Sequence, residues 1–373
     1  MNNHTQDQSQ SDQASTKDTP MNARERVLAV LNRETPDRIP VDIWLAPELV
    51  KTFKAHLGVE TELDIYRKLD VDKIVLLGIP YKGVVLKDPN EHQEVNHWGV
   101  KFEKVEANNQ VEYGEVSFNP LLEFDSVEEL DAYPWPNPDD FDYATAAAEA
   151  KELAKEFVTV GPWISLFEVY CSMRSLEEAL MDTVAEPEFV HAALDYIAES
   201  QGEMVRRFLE AADGAIDMVF ISDDLGSQSS LLMSPASFEE FLFPRLKKWC
   251  DMIHSYGAKV FFHTDGAAEP LIQRLIDAGV DILNPIQHVC PGMDCKEIKA
   301  KYGKQLIFHG GVENQKILPF GTAAEVAAET TACLDQLGPD GYLPCSCHFA
   351  QADTPIENVM ALIETVQRYE VSD

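Results

Sequence analysis

Lys259–Val260–Phe261–Phe262–His263–Thr264–Asp265–Gly266 is the stretch whose reading decides the fold. A run of β-formers ends abruptly in three polar residues and a glycine. A buried parallel strand has this form when it delivers side chains to a site at its C-terminal end. If the reading is right, other strand ends must surround His263.

The flanking sequence repeats the rhythm. Upstream, a helical pattern from Pro187 to Ala212 precedes the apolar run Ile216–Ser222, and Ser234–Pro235 starts a helix that leads to Tyr256–Gly257. Serine as N-cap and proline in the first turn suit that start. Downstream, helices at Ala267–Ala278, Cys295–Tyr302 and Thr322–Leu337 alternate with strands at Asp281–Asn284, Gln305–His309 and Gly341–Cys345, and a helix from Ile356 to Tyr369 follows. Nearer the N-terminus come a helix over Asn22–Asn32, a strand Val41–Trp44, helices to Leu57 and from Leu63 to Leu69, then a helix Ala144–Phe157, a strand Val158–Gly161 and a helix near Leu176–Asp182. Short alternating runs between Lys73 and Phe118, namely Gly83–Leu86, Gly99–Phe102 and Gln110–Tyr113, predict inserted β-hairpins. About eight strands, each followed by a helix, predict an α/β (β/α)8 TIM barrel with an N-terminal β-hairpin insertion. The barrel domain is expected over residues 21–373, after a polar tail, residues 1–20, whose composition predicts disorder. No glycine-rich dinucleotide fingerprint follows an early strand.

The formal charge is −34, from 64 acidic and 30 basic residues, which disfavours nucleic acid and anionic membrane as partners. No apolar run approaches the roughly 20 residues of a membrane-spanning helix. Seven cysteines scattered without a secretory signal predict a reduced, cytoplasmic setting. A homodimer is compatible with the sequence.

Polar residues gather at the strand ends: Trp163 with Phe167 and Glu168 beyond it, Asp223–Asp224, His263 and Asp265, Asn284 with Gln287 and His288, His309 with Glu313, and Cys345, Cys347 and His348. Zinc takes imidazole, thiolate and carboxylate, so His263, Cys347, Asp265 and His348 form the candidate metal set, with Cys345 an alternative. Strict strand alternation puts Cys345 and Cys347 on one face and turns His348 away, which favours Cys347 as thiolate. Asp223, Asp224 and Glu168 are the candidate acid, base or orienting groups. Trp163 and Phe167, with Asn284, Gln287 and Glu313, are the candidate substrate contacts. Cys290 and Cys295 flank a turn and read as a free thiol and a helix-start residue, while Cys171, Cys250 and Cys333 read as core.

Several of these stretches resemble the uroporphyrinogen decarboxylase superfamily. They are Asn22–Asn32 followed by Pro36–Asp–Arg–Ile–Pro40, Asp223–Asp–Leu–Gly–Ser–Gln228, His263–Thr–Asp–Gly266, Asn284–Pro–Ile–Gln287, Gly310–Gly–Val–Glu–Asn–Gln315 and Gln351–Ala–Asp–Thr–Pro355. The resemblance implies a (β/α)8 barrel. Decarboxylases of the family carry an arginine-rich segment for the porphyrinogen carboxylates; Val41–Glu48 here contains no arginine. The similarity to the corrinoid-dependent methyltransferase branch implies Zn2+, a corrinoid carried by a partner protein, and a small-molecule methyl donor. Thiol-acting members have cysteine where Asp265 stands, so a methyl ether such as a methoxylated aromatic is the expected donor. The alternatives are a metal-independent uroporphyrinogen-type decarboxylase, a methylcorrinoid:thiol methyltransferase, or a corrinoid-binding scaffold without catalysis.

Overall fold

The computed structural model describes residues 20–83, 93–107 and 111–370. Residues 1–19 of the expected disordered tail, and Val84–Leu86 and Gln110 of the expected hairpins, lie outside these residues. The strands are β1 (Ile74–Leu76), β2 (Gln93–Val95), β3 (Lys101–Ala107), β4 (Val111–Phe118), β5 (Val158–Ile164), β6 (Met218–Ser222), β7 (Lys259–His263), β8 (Ile282–Asn284), β9 (Ile307–His309) and β10 (Tyr342–Leu343). Seven of them form one parallel sheet in the order β1-β5-β6-β7-β8-β9-β10, while β2-β3-β4 is a separate antiparallel sheet. The inserted hairpin element is therefore present as three strands.

The parallel sheet curls into a barrel, and the expected first strand closes it. Val41–Trp44 does not form a regular ladder, yet its backbone bonds both neighbours. Asp42 N–H donates to Pro344 O at 3.1 Å, Ala350 N–H to Trp44 O at 2.8 Å, and Asp72 N–H to Val41 O at 2.8 Å. The last strand is also shorter than expected, because Cys345–His348 follow β10 as irregular backbone.

Side-chain alternation sorts each strand into two environments. Phe220 and Phe261 face the barrel interior with Ile74, Val160, Ile282, Ile307 and Leu343. Val219, Val260 and Phe262 face the surrounding helices. Val27, Val30 and Leu31 of the helix Ala23–Leu31 join the interior cluster and plug the barrel floor. Arg24 fastens this plug, donating to both carboxylate oxygens of Asp217 at 2.5 and 2.7 Å.

With its floor filled by aliphatic side chains, the barrel opens toward the strand C-termini, where His263 and His348 line a cavity. Leu31→Ala removes part of the plug and is expected to cost about 2–5 kcal/mol, read as a lower urea midpoint at unchanged slope.

Candidate active site

Register brings four polar residues to the mouth. Ser222 pairs with His263 across β6 and β7, His263 with Asn284 across β7 and β8, and His309 ends β9. His263 Nδ1 lies 2.5 Å from Asn284 Oδ1, and Asn284 Nδ2 lies 2.8 Å from His309 Nδ1. His309 Nε2 then reaches Asp42 Oδ2 at 3.1 Å, and Lys73 Nζ donates to Asp42 Oδ1 at 3.1 Å. An amide has one accepting and one donating end, so the chain of bonds fixes both tautomers. His263 donates from Nδ1, and His309 accepts at Nδ1 while donating from Nε2. Burial holds the His309 pKa below the ordinary histidine value, which suits this neutral role. The Nε2 lone pair of His263 is thereby left for the site, 3.9 Å from Asp224 Oδ1.

His263, Asp265 and His348 each offer a ligand atom within 4.8 Å of the others. Burial pushes the His348 imidazole down to about 4, so it is neutral near pH 7 with a lone pair to give. The Asp265 carboxyl is raised by burial, against the attraction of His263 and with the repulsion of Asp224. Two imidazoles and a carboxylate are a donor set that zinc accepts, leaving a fourth position for substrate. Cys347 is not in this group: its thiol points to the Ile286 carbonyl at 3.6 Å, and burial raises its pKa well above the usual thiol value. Strict alternation pointed to Cys347, but β10 ends at Leu343, so the irregular backbone after it presents His348 instead.

Two glycines hold the turn that carries Asp265. A Cβ on Gly266, whose φ is +82°, would lie 2.4 Å from Ser227 O, and one on Gly226 would lie 2.8 Å from Asp265 O. The loops after β6 and β7 thus pack backbone to backbone, and Asp265 N–H donates to Asp224 Oδ1 at 2.8 Å.

An unexpected helix, Phe167–Arg174, places Glu168. Its first turn is organised by Asp223. The buried carboxylate accepts from Ser165 Oγ (2.7 Å), Leu166 N–H (3.1 Å), Phe167 N–H (2.6 Å) and Glu168 N–H (3.0 Å). Asp223 is occupied as a helix cap. Glu168 Oε1 accepts from Ser222 Oγ at 2.9 Å and Asp224 N–H at 3.1 Å. Burial, reinforced by the Asp223 and Asp224 carboxylates, pushes Glu168 up to about 8, so it carries a proton at neutral pH.

Glu168, Ser222, Asp224, His263 and His348 open on a cavity of about 880 Å³ whose lining also includes Trp44, Trp163, Phe220, Phe261 and Phe349. Trp44 lies at the centre of this wall, with ring centroids 5.2 Å from Phe349, 5.3 Å from His309 and 6.4 Å from His263. Among the expected substrate contacts Trp163 lines the cavity, whereas Phe167 and Asn284 are buried beneath it. Gln287 accepts from Gly266 N–H at 2.8 Å. Glu313 caps the turn at Gln315–Ile317 with bonds of 2.6 to 2.8 Å. The sequence reading assigns no site role to Trp44 or Asp42, and marks His309 at a strand end without giving it a role. Their signal was polar and aromatic residues at alternate positions of strands otherwise read as apolar.

A barrel with a polar mouth defines a class of enzyme-like scaffolds, and comparison narrows it. The family model for uroporphyrinogen decarboxylase (URO-D) matches residues 106–369. The chain belongs to the uroporphyrinogen decarboxylase family. A methylcobamide:CoM methyltransferase from Methanosarcina barkeri is 26% identical over 195 residues, 52% of this chain and 53% of that protein. The chain thus spans about half the length of the curated methyltransferases it matches. A uroporphyrinogen decarboxylase from Prochlorococcus marinus is 25% identical over 277 residues, 71% of this chain and 74% of that protein. A solved methyltransferase from Methanosarcina mazei shares the fold, with TM-score 0.68 and 22% identity over 92% of this chain and 98% of that one.

The raised Glu168 pKa sets a sign for stability. The unfolded carboxyl loses its proton near 4.5 and the folded one near 8, so the folded state binds more protons between those values and loses stability as pH rises. Glu168→Gln removes this loss. Its urea midpoint is expected to rise relative to the parent between about pH 5 and about pH 9.

Proposed function

We propose that this chain is a methyltransferase that moves a methyl group from a small methyl ether, a methoxylated aromatic, to the cob(I)amide of a separate corrinoid protein. The observation that carries the proposal is the grouping of His263, Asp265 and His348 at an aromatic-walled cavity beside a protonated glutamate. The donor set suits zinc, held by those three residues, and zinc supplies a Lewis acid for the ether oxygen when bound there.

The chain's own groups then divide the work. Trp44, Phe220, Phe261 and Phe349 give an apolar wall against which an aryl ring stacks. Asn284, backed by His309 and Asp42, holds the His263 ring with Nε2 toward the site. When the methyl carbon passes to cobalt, the electron pair of the broken C–O bond stays on oxygen. Glu168, protonated at neutral pH and lining the same cavity, supplies the proton that oxygen needs. Asp224, 3.9 Å from His263, adds negative charge that favours a cation at the mouth.

Charge also separates this reading from porphyrinogen decarboxylation. Among the described residues lining the cavity, Lys73 is the only lysine or arginine, beside Glu62, Glu149, Glu152, Glu168 and Asp224. Lys73 is itself paired with Asp42. A substrate with many carboxylates meets repulsion there, whereas a neutral or singly charged ether does not. The carboxylate at Asp265, where thiol-acting relatives carry cysteine by the sequence resemblance, also favours an oxygen-linked donor.

The test is zinc analysis combined with a cob(I)alamin methylation assay using 2-methoxyphenol. Zinc-dependent loss of the cob(I) absorbance is expected, abolished in His263→Ala and slowed about 10²–10⁴-fold in Glu168→Gln. Turnover of uroporphyrinogen by metal-free protein would sink the reading.

A further inference from the structure

A second group of metal-type side chains lies away from the mouth, behind the loop that follows β8. His288 Nε2 is 2.6 Å from Glu329 Oε1, and His288, Glu329 and Cys333 each offer a ligand atom within 4.8 Å of the others. Glu329 and Cys333 are one turn apart on the helix Ala323–Leu337, so they share a face. Cys295, the first residue of the helix Cys295–Tyr302, interacts with Cys333 and His288 and brings a second thiol beside the group, while the Cys333 thiol donates to the Gly311 carbonyl at 3.4 Å. Both thiols are buried and neither is in a disulfide.

We propose that His288, Cys295, Glu329 and Cys333 bind a structural divalent cation of the zinc type, distinct from the ion at the mouth. Two thiolates, an imidazole and a carboxylate are a complete tetrahedral set for zinc. Bonds of about 2.0–2.3 Å to zinc put neighbouring ligand atoms about 3.3–3.8 Å apart. The ligand atoms of His288, Glu329 and Cys333, already within 4.8 Å of one another, need to move by about an ångström, and the Cys295 thiol turns in to join them. Binding displaces the two thiol protons and the proton shared by His288 and Glu329.

A comparable buried group, Asp42, His309 and Cys345, does not carry the same inference. Lys73 already supplies the positive charge beside Asp42 at 3.1 Å. Among the described residues Glu329 makes its one ion pair with His288, and no lysine or arginine competes for the place. The consequence of occupancy is mechanical. The ion would tie the β8 loop to two helices, and the neighbouring Gln287 holds Gly266 of the turn that carries Asp265.

The two sites differ in donor chemistry, which lets one experiment separate them. The mouth group offers no thiolate and Lys73 already neutralises Asp42 beside Cys345, so a thiolate-to-cobalt charge-transfer band that depends on Cys295 and Cys333 in the Co2+-loaded full chain reports the second group. We expect that band in the parent chain, its retention in His263→Ala and Cys347→Ser, and its loss in a Cys295→Ser/Cys333→Ser variant. Zinc content is expected to fall from about two per chain to about one in either His263→Ala or the double serine variant. Absence of the band from the Co2+-loaded parent chain overturns the proposal, whether or not the double variant folds. So does a band that Cys347→Ser removes. Neither result bears on methyl transfer at the mouth.

Discussion

The hydrogen bond from His263 Nδ1 to Asn284 Oδ1, at 2.5 Å, is the contact on which the mouth depends. It exists because β7 and β8 are parallel and in a register that puts the two residues side by side on the inward face. A one-residue slip would send His263 out among the helices and put Phe262 into the cavity. The apolar layers beneath prevent that slip. Phe261 pairs with Ile282, and Ile282 with Ile307, inside a barrel whose floor is plugged by Val27, Val30 and Leu31. Core packing thus fixes register, register fixes the histidine, and the amide of Asn284 fixes which of its nitrogens faces the substrate.

Around that contact the site concentrates negative charge in a poorly solvated place. Burial raises the pKa values of Glu168, Asp223 and Asp265, and repulsion by neighbouring carboxylates adds to the rise at Glu168 and Asp265. Asp223 tolerates the position because four donors surround its carboxylate. Glu168 has only two donors and keeps its proton. Neighbouring acids in one chain therefore take different roles by the number of donors each is given, one holding a helix and the other holding a proton.

The alternating pattern made the barrel legible from the sequence, because helix and strand periods differ and the strand ends were marked by His263, Asn284 and His309. His263, Asp265 and His348 were likewise legible as polar residues at such ends. What escaped was contact made by irregular backbone. Cys347 seemed better placed than His348 only under strand geometry that stops at Leu343. The helix Phe167–Arg174 escaped because its first turn is stabilised by Asp223, a residue 55 to 58 positions away in sequence, in place of a local cap. The link from Asp42 to His309 spans 267 positions and appears only once the barrel closes.

The back-to-back glycines after β6 and β7 set a limit on how this mouth can diversify. Gly226 and Gly266 touch backbone to backbone, so neither position has space for any side chain. The separation of Asp224 and Asp265 is therefore a constant of the scaffold, not a parameter that selection can tune by small steps. New substrate preferences on this framework must come from the rim, where Trp163 and Phe349 are partly exposed and free to change size. A designer who wished to reshape the specificity would leave the two turns untouched and vary those aromatic edges.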